Sequence, residues 1–146
     1  MKLQQDSVLH DFNQIYKEMD DLYHALARKF QLSDSAFEIL YSICVLGDGC
    51  LQKDICRITY TSKQTVNSSI RKLEQQNYIV LRPGKGRDMH IFLTEAGQTL
   101  AQEKVIPVIQ LENQAFNQMT PEEQRQLLRL SKQYLFHLQQ KLQQLL

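Results

Sequence analysis

Apolar residues near the start of the chain recur at Val8, Phe12, Ile15, Met19, Leu22 and Leu26, spaced alternately by four and three. That period predicts a helix with one narrow apolar stripe, like the seam of a coiled coil, with Lys17, Glu18, Asp20 and Asp21 lying off it. Ser33 is placed to cap a second helix, with Leu32 and Phe37 spaced as a hydrophobic staple across its first turn. Phe37, Leu40, Ile43 and Cys44 form the apolar face of this helix, and Gly47-Asp48-Gly49 ends it. A short helix is expected from about Leu51 to Ile58, turning Leu51, Ile55 and Ile58 inward. The next begins at Thr61 or Ser62: Thr61 and Gln64 have capping-box spacing, and Ser62 is an equally good cap. Val66, Ile70 and Leu73 are its inward positions, which leaves Lys63, Gln64, Asn67, Ser68 and Arg71 facing out.

The period then changes. Tyr78–Arg82 and Met89–Leu93 are rich in β-branched and aromatic residues and predict two strands. The loop between them, Pro83-Gly84-Lys85-Gly86-Arg87-Asp88, makes the pair a hairpin with a basic tip. Thr94 should cap a long helix that Pro107 bends, by removing one internal hydrogen bond. Thr120-Pro121-Glu122-Glu123 opens a last helix, with an N-cap, an N1 proline and an N3 glutamate. Its stripe runs through Leu128, Ser131, Leu135, Leu138, Leu142 and Leu145.

Helix, tight turn, helix and basic hairpin make a winged helix-turn-helix, so the fold class is mostly α with a small β-hairpin wing. We expect a single domain over residues 1–146, a length that suits one core. Residues 33–94 would form the winged lobe, and residues 1–32 and 95–146 a dimerisation region. Stripes as narrow as those at the two ends are hard to cover within one small domain, and a second copy covers them. Val8, Phe12, Ile15, Met19, Leu135, Leu138 and Leu142 are the candidate homodimer interface.

Net charge is only +1 and indicates no partner, but its distribution does. From Thr61 to His90 six basic side chains stand against two acids, +4, leaving eleven against fourteen, −3, in the rest. A basic segment in an acidic body is what a phosphate-facing surface requires. A helix fits the major groove of duplex DNA, where Gln64 and Asn67 can pair with adenine or other bases. Ser62, Lys63, Thr65 and Ser68 are candidates for phosphate or base contacts, and Arg71 for either. Lys85 and Arg87 on the wing would reach the adjacent minor groove, whose narrow stretches attract a guanidinium, and Arg82 at its base fits a backbone contact.

Other chemistries have little to stand on. The chain carries no Gly-x-Ser-x-Gly, no phosphate-cradling glycine loop and no paired acids beside a histidine, so an enzyme is not expected. His10, His24, His90 and His137 are scattered, with no Cys-x-x-Cys, so neither a metal nor any other cofactor is expected. Cys44, Cys50 and Cys56, an odd set, suit reduced thiols in the cytoplasm. Cys50, near Lys53, is the candidate for redox sensing. The first residues turn polar before any apolar run forms, and no stretch is long enough to span a bilayer, so no membrane partner is expected. A winged-helix adaptor that binds protein instead of DNA is the rival from another class, and it predicts an uncharged or acidic helix face.

From Leu51 to Ala101 the sequence resembles the MarR family of regulators. The resemblance is carried by Leu51-Gln52-Lys53-Asp54-Ile55, Ser62-Lys63-Gln64-Thr65-Val66-Asn67, Ile70-Arg71-Lys72-Leu73-Glu74 and the Leu93-Thr94-Glu95-Ala96-Gly97 turn. Length and helix order extend it over nearly the whole chain. It implies a dimeric DNA-binding regulator, usually a repressor released by a small ligand or by oxidation, with the terminal helices as the interface. It also implies a recognition helix from Ser62 to about Gln76 and a wing arginine at Arg87. The family often has an aspartate two positions before that arginine, where Lys85 stands here, while Asp88 follows Arg87. For a small-molecule effector, Tyr16, Tyr23, His24, Phe37 and Tyr41 would line a cleft between the first helices and the DNA-binding lobe.

Overall fold

A computed structural model of the chain describes residues 3–146. Two compact units result, one running to Ile106 and one from Pro107 to Leu146. The first opens with α1, Ser7–Lys29, capped by the Asp6 carboxylate, which accepts from the Val8 and Leu9 amides at 3.0 and 3.1 Å. Its end is a Schellman turn. Gln31, at φ 60°, lets the Leu32 amide reach the Ala27 carbonyl and its own amide reach that of Arg28. Ser33 then caps α2, Asp34–Leu46, through the Ala36 amide.

Helix α2 is the floor of the unit, with Phe37, Ile39, Leu40 and Ile43 all buried. Ile55 packs there from α3, Gln52–Ile58, and Val66, Ile70 and Leu73 from α4, Lys63–Gln75. The expected inward turn of Ile58 does not occur. It is the last residue of α3 and is 44% exposed, one position before the chain leaves the helix at Thr59. Ser62, and not Thr61, is the cap of α4.

The hairpin is β2, Ile79–Pro83, paired antiparallel with β3, Met89–Leu93, in a register from Ile79↔Leu93 to Pro83↔Met89. A two-residue strand that the sequence did not announce, β1, Cys50–Leu51, adds to the other edge of β3, so the sheet order is β1-β3-β2. Ile79 and Ile91 are the buried members of the sheet.

Helix α4 also ends in a Schellman turn, with Asn77 at φ 61° and the Tyr78 amide bonded to the Leu73 carbonyl. The Tyr78 carbonyl accepts the Thr94 amide at 3.0 Å, and the Thr94 hydroxyl donates to the Asn77 carbonyl at 2.6 Å. The same hydroxyl accepts the Gly97 amide and caps α5, Glu95–Leu100. A β-carbon on Gly97 would lie 1.9 Å from the Tyr78 carbonyl oxygen. Glycine in the Leu-Thr-Glu-x-Gly turn is therefore a requirement of close approach.

Beyond α5 the helix is irregular earlier than expected. Ala101–Val105 is a π-helical turn, immediately before α6, Ile106–Phe116. Pro107 cannot donate to the Glu103 carbonyl and its ring crowds that oxygen, and the wider turn accommodates both. In the second unit, Thr120 and Glu123 form the expected reciprocal capping box at the start of α7, Pro121–Leu142. No residue of α7 is buried, and Leu128, Leu135, Leu138 and Leu142 are exposed along it.

Replacing Gly97 by alanine should force α5 off the Tyr78 carbonyl. The expected loss is at least the roughly 1–3 kcal/mol typical of overpacking, read as a lower thermal midpoint. An unchanged midpoint would show that α5 can retreat without cost.

Candidate nucleic-acid interface

Two faces of α4 have separate tasks. Val66, Ile70 and Leu73 sink into the floor, and buried Ser69 is within 2.7 Å of Ser35 of α2, hydroxyl to hydroxyl. The opposite face presents Lys63, Gln64, Asn67, Ser68 and Arg71 around an open concavity of about 570 Å³. These positions follow one another at i, i+1, i+4, i+5 and i+8, which places them on a single helical face. Ser62 and Thr65 have their hydroxyls 3.0 Å apart at the cap, and Ser68 donates back to the Thr65 carbonyl. These three are partly engaged within the helix, whereas Lys63, Gln64 and Arg71 stand exposed.

The wing tip turns through Gly86 at φ 62°, with the Gly84 amide on the Asp88 carbonyl at 2.8 Å. Lys85 and Arg87 are exposed there. Arg82 is exposed too, its guanidinium 4.8 Å from the centre of the Phe92 ring. Asp88 pairs with Lys53 of α3 at 2.8 Å. The acid that follows the wing arginine thus ties the wing to α3. With Lys53 exposed and Asp88 only half-buried, the pair contributes about 0.2–1 kcal/mol, so it orients more than it stabilises.

A second concavity, of about 330 Å³, is lined by Gln52, Lys53, Cys56, Lys63, Asn67, Arg87, Asp88 and Met89. It brings Lys63 and Asn67 of α4 and Arg87 of the wing to one place, with α3 as the bridge. Sequence reasoning missed Gln52 and Lys53 as members. Gln52 donates from Nε2 to Oδ1 of Asn67 at 2.7 Å. The available signal was that Gln52, Lys53 and Cys56 share the outward face of α3, a pattern identical to an ordinary solvated face.

The remaining candidates are distributed differently. Val8, Ile15 and Met19 lie exposed on α1, and Phe12, half-buried, is in edge contact with Tyr16 at 5.0 Å. Leu135, Leu138 and Leu142 are exposed on α7. Of the five residues considered for an effector, Phe37 is core, in ring contact with Phe30 and Tyr41. Tyr16 and Tyr23 are exposed on α1, and His24 pairs with Asp34 at 2.9 Å. Cys50 lies half-buried in β1. Burial above all, with the charges of Asp48 and Asp54 adding, pushes its thiol up to about 11, against a backbone hydrogen bond that favours the thiolate. Among the described residues no helix is long and apolar enough to cross a membrane.

Residues 30–88, which hold α2, α3, α4 and the wing, match the sequence model of the MarR family. That match spans less than half of the chain and marks the segment as similar to the MarR family. The whole chain is similar in fold to solved MarR-family structures. The MepR–DNA complex of S. aureus matches with a TM-score of 0.68 at 22% identity, over 92% of this chain and 99% of that one. A MarR family regulator from Neisseria meningitidis matches with a TM-score of 0.73 at 20% identity, over 93% and 96%. BpsR of Bordetella bronchiseptica, whose DNA binding is regulated by 6-hydroxynicotinic acid, matches with a TM-score of 0.62 at 20% identity, over 88% and 98%. No curated protein matches by sequence. Against the MarR pattern of an aspartate two positions before the wing arginine, Lys85 occupies that position here and Asp88 pairs with α3.

With the thiol near 11, only about one Cys50 in ten thousand is thiolate at neutral pH. Alkylation of native protein by iodoacetamide, followed by mass spectrometry, should leave Cys50 nearly unlabelled at neutral pH and label it increasingly as the pH approaches that value. Fast labelling at neutral pH would revive the redox reading.

Proposed function

We propose that this chain is a cytoplasmic transcription regulator that binds duplex DNA as a homodimer and represses from an inverted-repeat operator. The observation that carries the proposal is the junction of the outward face of α4 with the wing tip, through α3, in one basic and amide-rich surface. An adaptor for protein would have no use for that charge. Lys63, Arg71, Arg82 and Lys85 would hold phosphates, Gln64, Thr65 and Asn67 would read major-groove edges, and Arg87 would enter the minor groove. Ser62 and Ser68 would make shorter-range contacts at the start of the helix. Two copies would set their α4 helices about one DNA turn, roughly 34–36 Å, apart.

The dimer reading is supported by the apolar side chains left exposed on α1 and, separately, on α7. The similar MepR has been solved with DNA, and BpsR answers to a small aromatic acid. A small-molecule effector that releases DNA fits that pattern. It would act by binding one arrangement of the dimer better than the other, and Tyr16, Tyr23, His24 and Tyr41 are the side chains to probe. Phe37 would join only if the core opened.

Fluorescence anisotropy on the duplex upstream of the protein's own coding sequence, and on a genomic fragment pool, tests the reading. Wild type should bind with affinity that falls steeply as salt rises, since each phosphate neutralised releases counterions. Asn67→Ala and Arg87→Ala should each weaken specific binding, by about 1–3 kcal/mol for each hydrogen-bonded base pairing removed. Failure of wild type to bind either DNA at low salt would remove the proposal. Sedimentation of Ile15→Asp and Leu138→Asp should show a dimer converted to monomer, and dimers that persist in both would place the interface elsewhere.

A further inference from the structure

The turn between α3 and α4, residues 59–62, decides how the reading helix leaves the body of the protein, yet none of its own side chains is buried. Tyr60 is fully exposed and Ile58 points out before it. The anchor comes from α2. One oxygen of the Glu38 carboxylate accepts the Tyr60 amide at 2.6 Å, and the other accepts the Thr61 hydroxyl. Both donors lie more than twenty positions along the chain, immediately before the Ser62 cap. Glu38 is itself held on a rigid base, because Phe37, Ile39 and Leu40 beside it are buried in the floor. A carboxylate next to a surface that is to meet phosphate opposes binding electrostatically, so its value there is geometric.

We propose that Glu38 is a positioning residue for base reading. By holding the Tyr60 amide and the Thr61 hydroxyl, it fixes the angle at which α4 leaves the turn and so the register of Gln64 and Asn67 against the bases. The inference rests on the DNA-reading proposal. Phosphate contacts tolerate small rotations of a helix, but hydrogen bonds to base edges do not. Loss of the clamp therefore costs discrimination before it costs affinity. Glutamine can replace the clamp: its carbonyl oxygen accepts the Tyr60 amide and its NH₂ group donates to the Thr61 oxygen.

The test compares wild type, Glu38→Ala, Glu38→Gln and Arg71→Ala on two labelled duplexes, one selected by wild type from a genomic fragment pool and one of random sequence. Amide hydrogen exchange at Tyr60 and the thermal midpoint are read on the same proteins. Glu38→Ala should lower the selected-to-random affinity ratio about tenfold, the worth of one to two hydrogen bonds, with the random duplex bound no more weakly than by wild type. Its Tyr60 amide should exchange faster, and Glu38→Gln should recover most of both. Arg71→Ala should weaken both duplexes and leave Tyr60 exchange unchanged. An unchanged ratio in Glu38→Ala would overturn the inference, as would parallel weakening on both duplexes with a lowered midpoint, or a glutamine variant as impaired as alanine. If wild type binds neither duplex, the DNA-reading proposal fails separately. The clamp is then judged by Tyr60 exchange, and unchanged exchange in Glu38→Ala sinks it.

Discussion

The Tyr78 carbonyl oxygen sits where three elements meet. Its residue's amide closes the end of α4 on Leu73, and the oxygen itself accepts Thr94 at the foot of the hairpin, against the bare Cα of Gly97. The pairing of Ile79 with Leu93, and every pair out to the wing tip, follows from that bond. A slip of one residue would turn Ile79 and Ile91 out of the core, so the register has no near alternative. The reach of Lys85 and Arg87 relative to α4 is thus set at the opposite end of the hairpin, by a backbone contact that tolerates no side chain.

Much of this was legible because it is local. The apolar rows of α2 and α4, the Ser33 and Thr94 caps, the Thr120–Glu123 box and the hairpin all depend on residues within a few positions of one another. The outward face of α4 was legible for the same reason, since inward Val66, Ile70 and Leu73 leave it no other orientation. What escaped was long-range or conformational. Strand β1 is two residues long and exists only because β3 has a free edge. Gln31 takes a left-handed conformation that its residue type does not advertise, whereas Asn77 at the end of α4 is a residue that tolerates it. The π turn lies before the proline that occasions it, and the Lys53–Asp88 and Gln52–Asn67 contacts join positions that no periodicity relates.

Exposed apolar side chains are most numerous on α1 and α7, where they alternate with charges such as Lys17, Asp21, Glu122 and Arg125. Helix α1 exposes Ile15, Leu22 and two tyrosines, and α7 a series of leucines, while the exposed faces of α4 and the wing are basic and amide-rich. Helix α2 is the floor on which α4 packs, joined to it by Ser35 and to the turn before it by Glu38.

The bond from Gln52 to Asn67 has a consequence of its own. A side-chain amide at a protein surface can swing through half a turn and exchange its acceptor end for its donor end. Such a residue accommodates more than one partner and must be immobilised by whichever it meets. Asn67 is immobilised in advance, with its oxygen turned toward α3 and its NH₂ group directed away. The entropy of ordering that side chain is incurred when the protein folds and not when it binds. A substitution at residue 52, which need never touch the partner, would then restore the swing and broaden what residue 67 accepts.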